Sequence, residues 1–300
     1  MTPRFTQLHP LFVGEASPID LCTVRDSETL AAIRAGMDRY GVLVFHDQTF
    51  NDAEQLDFAA RFDGPLLANS GASAVSRSRF DNDALTDISN LDEDGELLRS
   101  DDRRRMYRLG NRLWHTDASF QDPAGRYSML HAREVPSVRA DTEFADLKSA
   151  YDALDDETKE LIANLRAHHS IAYSRQRLGF EFSEAEAAKL AGAVHPLVRT
   201  NPRTGRQSLY IASHASRVID WPLPEGRLLL ADLMDHATST AFRYTHQWRK
   251  GDLVIWDNLA TMHRGLRYDD TRYRRELRRV TTQDLPIREP GIELAHALAG

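Results

Sequence analysis

The chain has 300 residues, enough for one large domain or two small ones, and its 41% hydrophobic content supports a real core. A formal charge of −7 argues against nucleic acid or an anionic membrane as the main partner. The single cysteine, Cys22, excludes an internal disulfide, and neither a secretory signal nor a bilayer-length apolar run is legible, so a cytoplasmic protein is expected.

The first predicted element is a helix over "ETLAAIRAGMDRYG", with apolar residues at Leu30, Ile33, Met37 and Tyr40. Asp26 or Ser27 would cap it, and Gly41 would end it. "VLVF" (Val42 to Phe45) reads as a buried strand. Asn51 and Glu54 form a capping-box pattern for a second helix, which stops at Asp63-Gly64-Pro65. Residues 66–105 are polar, with a strand at "DISN" and the charge run "SDDRRRMY", and are expected to form a lid. "YSMLHAREVP" reads as a strand, "DTEFADL" follows it, and a helix is expected through "LDDETKELIANL". Residues 170–194 read as an insertion, with a Ser183/Glu186 capping box. "HPLVRTNPRTGRQSLYIA" reads as a hairpin, "EGRLLLADLMDHA" as a helix, and "GDLVIWDNLATMHRG" and "RRELRRVTT" as closing strands. The expected fold is mostly β with peripheral helices around a double-stranded β-helix (jelly-roll) core, as a single domain over 1–300.

The stretch "WHTDASF" places His115 and Asp117 two residues apart. On an extended chain, residues i and i+2 project from one face and can grip one ion together. A third donor is needed, and His263 in "TMHRG" is the candidate. Two histidines and one carboxylate hold non-heme Fe(II) with open positions; the same donor types also hold zinc. Seven arginines lie between Arg264 and Arg279. On a strand Arg274, Glu276 and Arg278 share a face, where two planar guanidinium forks would suit two carboxylates. A solvated face or a nucleic-acid patch is the competing reading, weakened by the acidic chain and the alternation with Leu277 and Val280. His168 and His169 read as following a helix; His195 and His214 flank the hairpin, where either could face the pocket, with packing or surface exposure the favoured reading. Trp114 and Trp256 read as core, and Asp257 and Asn258 as turn residues.

Taken together, "LHPLF", "VLVF", "DISN", "LWHTDASFQDPAGRYSML", "DTEFADLKSAYDAL", "PLVRTNPRTGR", "GDLVIWDN", "MHRG" and "RRELRRVTT" resemble the Fe(II)/2-oxoglutarate-dependent dioxygenases of the taurine dioxygenase (TauD/TfdA) family. Within it the chain is most similar to the branch acting on 2,4-dichlorophenoxyacetate. The resemblance implies Fe(II) held by His115, Asp117 and His263, with 2-oxoglutarate and O2 as cosubstrates. It implies Thr142 and Arg274 for the distal carboxylate of 2-oxoglutarate, and Arg278 with Asn111 for the prime substrate. Arg139-Ala140 stand where relatives carry two glycines, a departure that bears on the backbone entering Thr142. The implied reaction hydroxylates the carbon next to the ether oxygen of an aryloxyalkanoic acid, releasing a phenol and a 2-oxo acid such as glyoxylate. A taurine, alkylsulfonate or sulfate-ester dioxygenase is the alternative within the family; a zinc hydrolase and a non-enzymatic barrel binding protein are the alternatives outside it. The expected partners are a small organic acid and further copies of the chain, with no nucleic acid and no membrane.

Overall fold

The computed structural model describes residues 2–68 and 79–285. Part of the expected lid, 69–78, lies outside the described residues. Strands β1 (Phe5–Gln7) and β2 (Gly14–Ala16) lead into helix α1 (Ser27–Tyr40). Asp26 caps this helix by accepting from the Thr29 amide at 2.8 Å. Gly41 ends it in the left-handed region, φ 72°, which a residue without a Cβ adopts at little cost. β3 (Val42–Phe45) is followed by α2 (Asp52–Asp63), opened by the reciprocal Asn51/Glu54 capping box.

β4 (Leu85–Ser89) and the short helix α3 (Arg103–Arg108) occupy the expected lid region, and the charge run supplies α3. A 3-10 turn over Leu109–Arg112 precedes the histidine–aspartate segment. Then come β5 (Gly125–Glu134) and β6 (Thr142–Asp146). The helix expected over "LDDETKELIANL" is α5 (Asp156–Ile162), and a further helix, α4 (Leu147–Asp152), precedes it; each is capped by its own aspartate, Asp155 and Asp146. His168 and His169 lie on strand β7 (Arg166–His169) rather than at a helix end. The Ala167 side chain packs inward there, so the period is that of a strand. The segment 170–194 carries α6 (Ile171–Gln176) and α7 (Glu184–Ala187), the latter opened by the Ser183/Glu186 capping box.

β8 (Ala193–Pro196) precedes the hairpin of β9 (Val198–Thr200) and β10 (Gln207–Leu209). β11 (Ala215–Val218) leads to α8 (Leu223–Ala237). β12 (Arg243–His246), β13 (Leu253–Asp257), β14 (Thr261–Gly265) and β15 (Glu276–Gln283) close the chain. The described residues are thus mostly strands with several helices. One seven-stranded sheet runs β1-β2-β3-β13-β5-β15-β4, and a three-stranded sheet runs β12-β6-β14.

Alternation along the strands sorts side chains onto two faces of the large sheet. Leu43, Phe45, Tyr127, Met129, Leu253, Ile255 and Val280 join the α1 and α2 layer. Val42, Val44, Leu130, Ala132, Val254, Trp256 and Leu277 face the other way, against Phe144 of β6. Behind the small sheet, Ala145 and Met262 pack with Leu147, Leu230 and Leu233 of α4 and α8. The histidine–aspartate segment lies at the open edge between the two sheets, where His115 bridges to His263 of β14.

Candidate active site

The backbones of His115 and His263 exchange two hydrogen bonds. The His115 amide donates to the His263 carbonyl at 3.0 Å and the His263 amide to the His115 carbonyl at 2.8 Å. Chain positions far apart are thereby fixed side by side, with ring centroids 4.2 Å apart. The segment is extended only at His115; it turns from Asp117 onward, with Ala118 at φ 56°. The turn swings the carboxylate between the rings. Asp117 Oδ1 lies 3.9 Å from His115 Nε2, and Oδ2 lies 3.8 Å from His263 Nε2. The donor atoms of all three residues lie within 4.8 Å of one another, and all three are buried.

The protonation state suits a cation. His115 Nδ1 sits 2.8 Å from the Leu113 carbonyl, an acceptor only, so Nδ1 carries the proton and Nε2 keeps its lone pair. Burial pushes the His115 pKa down to about 4, and burial together with His115 pushes His263 well below the usual imidazole range. Both rings are neutral at pH 7. Burial is the largest influence on Asp117 and works against its ionisation, but Arg279, His263, His115 and the Ser128 hydrogen bond together outweigh it, and the carboxyl titrates below its usual range. Two neutral imidazoles and one carboxylate, facing one point, fit a divalent ion that keeps open positions.

Asn258 is the residue that sequence reasoning undervalued. It was expected as a turn residue, yet it is fully buried and ties the site together. Its Oδ1 accepts from the Asp117 amide at 2.9 Å and from Trp256 Nε1 at 3.0 Å. Its Nδ2 donates to Ser128 Oγ at 2.9 Å, and Ser128 Oγ donates to Asp117 Oδ2 at 2.7 Å. Asn258 therefore sets both the backbone and the carboxylate of Asp117. Asn258→Ala is expected to weaken divalent-metal binding by about 10- to 100-fold, the usual cost of removing a group that orients a ligand. Isothermal titration with Mn(II) measures this directly.

Two cavities meet at the metal-ligand set. The first, about 130 Å3, holds His115, His263, Thr142, Trp256, Arg275 and Arg279 in its wall. The second, about 110 Å3, holds His115, Asp117, Arg175, His214 and Arg279. Asn111 borders both, and its Oδ1 accepts from Arg175 Nη2 at 3.0 Å. Thr142 opens β6 and faces the first cavity, its Oγ1 accepting from Trp248 Nε1 at 2.9 Å. The bulk of Arg139 does not displace it. Arg139 turns outward onto Asp141 at 2.6 Å, with its side chain 70% exposed, and Ala140 lines the cavity wall.

The structure places the two arginine positions expected from the family spacing outside both cavity walls. Arg274 points away from both cavities; its side chain is 41% exposed and lies 3.5 Å from Glu134. Arg278 pairs with Glu276 at 2.6 Å and stacks on Phe80, outside both cavity walls. Their neighbours Arg275 and Arg279 line the site instead. A one-residue shift along an extended chain reverses the face every side chain presents. Residues 266–275 carry no strand, so no alternation runs through them to say which of two adjacent arginines faces inward. Arg279 sits against Asp117, while the Arg275 guanidinium lies 5.9 Å over Trp248. His214, expected as a packing or surface residue, is buried in the second cavity wall, its ring 6.0 Å from that of His115. Its place beside the hairpin allowed this, and its small neighbours, Ser213 and Ala215, did not favour it over packing.

Comparison with known proteins now adds the decisive observation. The family model described as "Taurine catabolism dioxygenase TauD, TfdA family" matches residues 4–281. The chain belongs to the TauD/TfdA family. Among curated TauD/TfdA proteins, it is 45% identical over 278 residues to the alpha-ketoglutarate-dependent 2,4-dichlorophenoxyacetate dioxygenase of Cupriavidus pinatubonensis, covering 92% of this chain and 96% of the relative. It is 33% identical to the (S)-phenoxypropionate/alpha-ketoglutarate-dioxygenase of Sphingobium herbicidovorans, covering 91% and 93%. The crystal structure of AAD-2 in complex with Mn(II) and N-oxalylglycine superposes with a TM-score of 0.90 at 44% identity, covering 94% of this chain and 98% of that one.

Proposed function

We propose that this TauD/TfdA protein is an Fe(II)- and 2-oxoglutarate-dependent dioxygenase of aryloxyalkanoic acids, hydroxylating the carbon next to the ether oxygen. His115, Asp117 and His263 would hold the ion. When bound, Fe(II) supplies the redox chemistry, coupling oxidative decarboxylation of 2-oxoglutarate with dioxygen to insertion of one oxygen atom into a substrate C–H bond. The hydroxylated carbon is a hemiacetal, and it collapses to a phenol and a 2-oxo acid, with succinate and carbon dioxide as the other products.

The observation that carries this reading is the cationic end of the first cavity. Arg275 has no carboxylate partner among the described residues, and its Nε is buried without a hydrogen bond. Thr142 and Arg275 line the cavity there, and Trp248 contacts both of them, donating to Thr142 and lying beneath the Arg275 guanidinium. A 2-oxoglutarate molecule bound to the metal at its keto-acid end would reach this wall with its distal carboxylate, and a guanidinium fork matches that group. Arg279 holds Asp117 ionised and oriented. The buried rings of Phe144 and Trp256 against His263 keep water from that side of the site. The likeness to AAD-2 supports a double-stranded β-helix core as one domain over 1–300, with a small organic acid as partner.

The test is a product assay with a panel of aryloxyalkanoic acids. Phenol and succinate are expected in equal amounts, and only with Fe(II), 2-oxoglutarate and oxygen all present. Sulfite or sulfate release from sulfonates or sulfate esters, with no phenol, would overturn the substrate class. Turnover without oxygen would overturn the reaction.

A further inference from the structure

Behind the first cavity, one carboxylate is shared by imidazoles from both sheets. Asp252 stands just before β13 of the large sheet and is 0% exposed. Its Oδ1 lies 2.6 Å from Nδ1 of His46, which follows β3 of the same sheet. Its Oδ2 lies 3.0 Å from Nε2 of His246, the last residue of β12 in the small sheet. The Arg249 amide donates to the same Oδ2 at 2.9 Å. An ionised carboxylate only accepts, so each imidazole turns an N–H toward it. Burial works against ionisation of Asp252, but the bonds from His246, Arg249 and His46 together outweigh it, and the carboxyl titrates below its usual range. Asp252 is thus a pin between the two sheets that flank the metal ligands. Neither it nor the two histidines line a cavity at the metal-ligand set, so none of them meets a reactant there.

The pin bears on Trp248. The His246 ring meets the indole edge-on, with centroids 4.7 Å apart and planes at 89°. Thr142 on β6 is the cross-strand partner of His246, so the two side chains share one face of the small sheet. Trp248 joins them: its ring rests against His246, and its Nε1 donates to Thr142 Oγ1 at 2.9 Å. An indole N–H only donates, so the Thr142 oxygen must accept. That hydroxyl has one proton of its own, and no acceptor for it stands among the described residues. Thr142 lines the first cavity, so the proton is left for a ligand there. Arg275, over the same indole, likewise offers only donors. Both groups are therefore the complement of an ionised carboxylate.

We propose that Trp248, held by the His246–Asp252 brace, is a positioning residue for the cosubstrate, committing the Thr142 hydroxyl to donate to the distal carboxylate of 2-oxoglutarate. This rests on the function proposed above. It assigns a task to a side chain that lines neither cavity, and to a buried ion cluster that the reaction itself leaves unused.

Isothermal titration of the Mn(II)-loaded protein compares 2-oxoglutarate with 2-oxopentanoate, the same chain ending in a methyl group. Wild type is expected to prefer 2-oxoglutarate. Thr142→Val keeps the shape and loses the hydroxyl, and should cut that preference by about 10-fold, the loss of one hydrogen bond to a charged group. Trp248→Phe keeps an aromatic ring and loses the N–H, and should cut the preference by about 5- to 10-fold while 2-oxopentanoate binds as before. In a Thr142→Val background the same change should cost less than about twofold, because the indole acts through the hydroxyl. In a Thr142→Ser background, where the hydroxyl returns, it should again cost about fivefold. Additive losses in the double variant overturn the proposal, and so does a Trp248→Phe protein that keeps the wild-type preference or weakens both acids equally. His246→Phe keeps a ring beside Trp248 and loses the bond to Asp252. It covers the case in which Trp248→Phe does not fold, and it too must lose part of the preference, or the proposal fails. A wild type that prefers 2-oxoglutarate whatever stands at 248 overturns only the role of Trp248 and leaves the dioxygenase reading standing. A wild type that binds both acids alike overturns the reading of this cavity as well.

Discussion

His263→Ala is expected to bring phenol release down to the level seen without iron, and to remove the metal-dependent part of the protein's heat stability. The variant keeps His115 and Asp117, so it separates a three-donor site from a two-donor one. The His263 side chain faces Asp117 at 3.8 Å, while its backbone bonds to His115 belong to any residue but proline. Alanine therefore leaves the bridge between the segments in place and deletes one donor. An ion that binds only the folded state stabilises it by about 2.7 kcal/mol when present at 100 times its dissociation constant. Wild-type protein should show that upward shift in unfolding temperature on adding Mn(II), and the variant should not. A variant that still gains the full shift would show that the ion is held elsewhere. His115→Ala is expected to behave alike.

Arg275→Ala should raise the 2-oxoglutarate concentration for half-maximal rate by roughly 30- to 150-fold, and Arg274→Ala by no more than about twofold. The contrast follows from environment. Arg275 is enclosed against Trp248 beside Thr142 and has no carboxylate partner among the described residues. A charge-assisted pair formed there is worth about 2–3 kcal/mol. Arg274 is a solvated residue near Glu134, a kind of contact worth about 0–1 kcal/mol. Steady-state titration of 2-oxoglutarate at saturating aryloxyacetate measures both. Equal effects of the two variants would mean that the wall beside Thr142 is not where the cosubstrate's distal end lies.

Much of this molecule is legible in its residue order, and the reasons are local. Asp26, Asn51 and Ser183 announce helix starts because a short side chain accepting from a nearby amide is a sequence-local event. "VLVF" and "GDLVIWDN" read as strands because both of their faces are covered. The metal ligands were legible because two of them sit two residues apart and the third lies in a matching motif. What escaped depends on distant neighbours. Asn258 looks like a turn residue until Asp117, Ser128 and Trp256 converge on it. Arg175 looks like any helix arginine until Gly110 and Asn111 close around it. Arg274 and Arg278 each have an arginine as the next residue, and the residue order alone does not say which member of a doublet faces the cavity.

Two arginine doublets stand at the end of the chain's core, Arg274-Arg275 just before the last strand and Arg278-Arg279 on it. Slid by one position, the chain would still offer a guanidinium at each place, so charge by itself is ambivalent about alignment. Leu277 is not ambivalent: it is fully buried beside Trp256 and Phe144, and the same slide would push Glu276 into that oily layer. The choice of which cations serve the reaction is therefore made by a greasy residue that never meets a reactant. Leu277 is the position at which a polar substitution would make the protein undecided between two chemistries of the same strand.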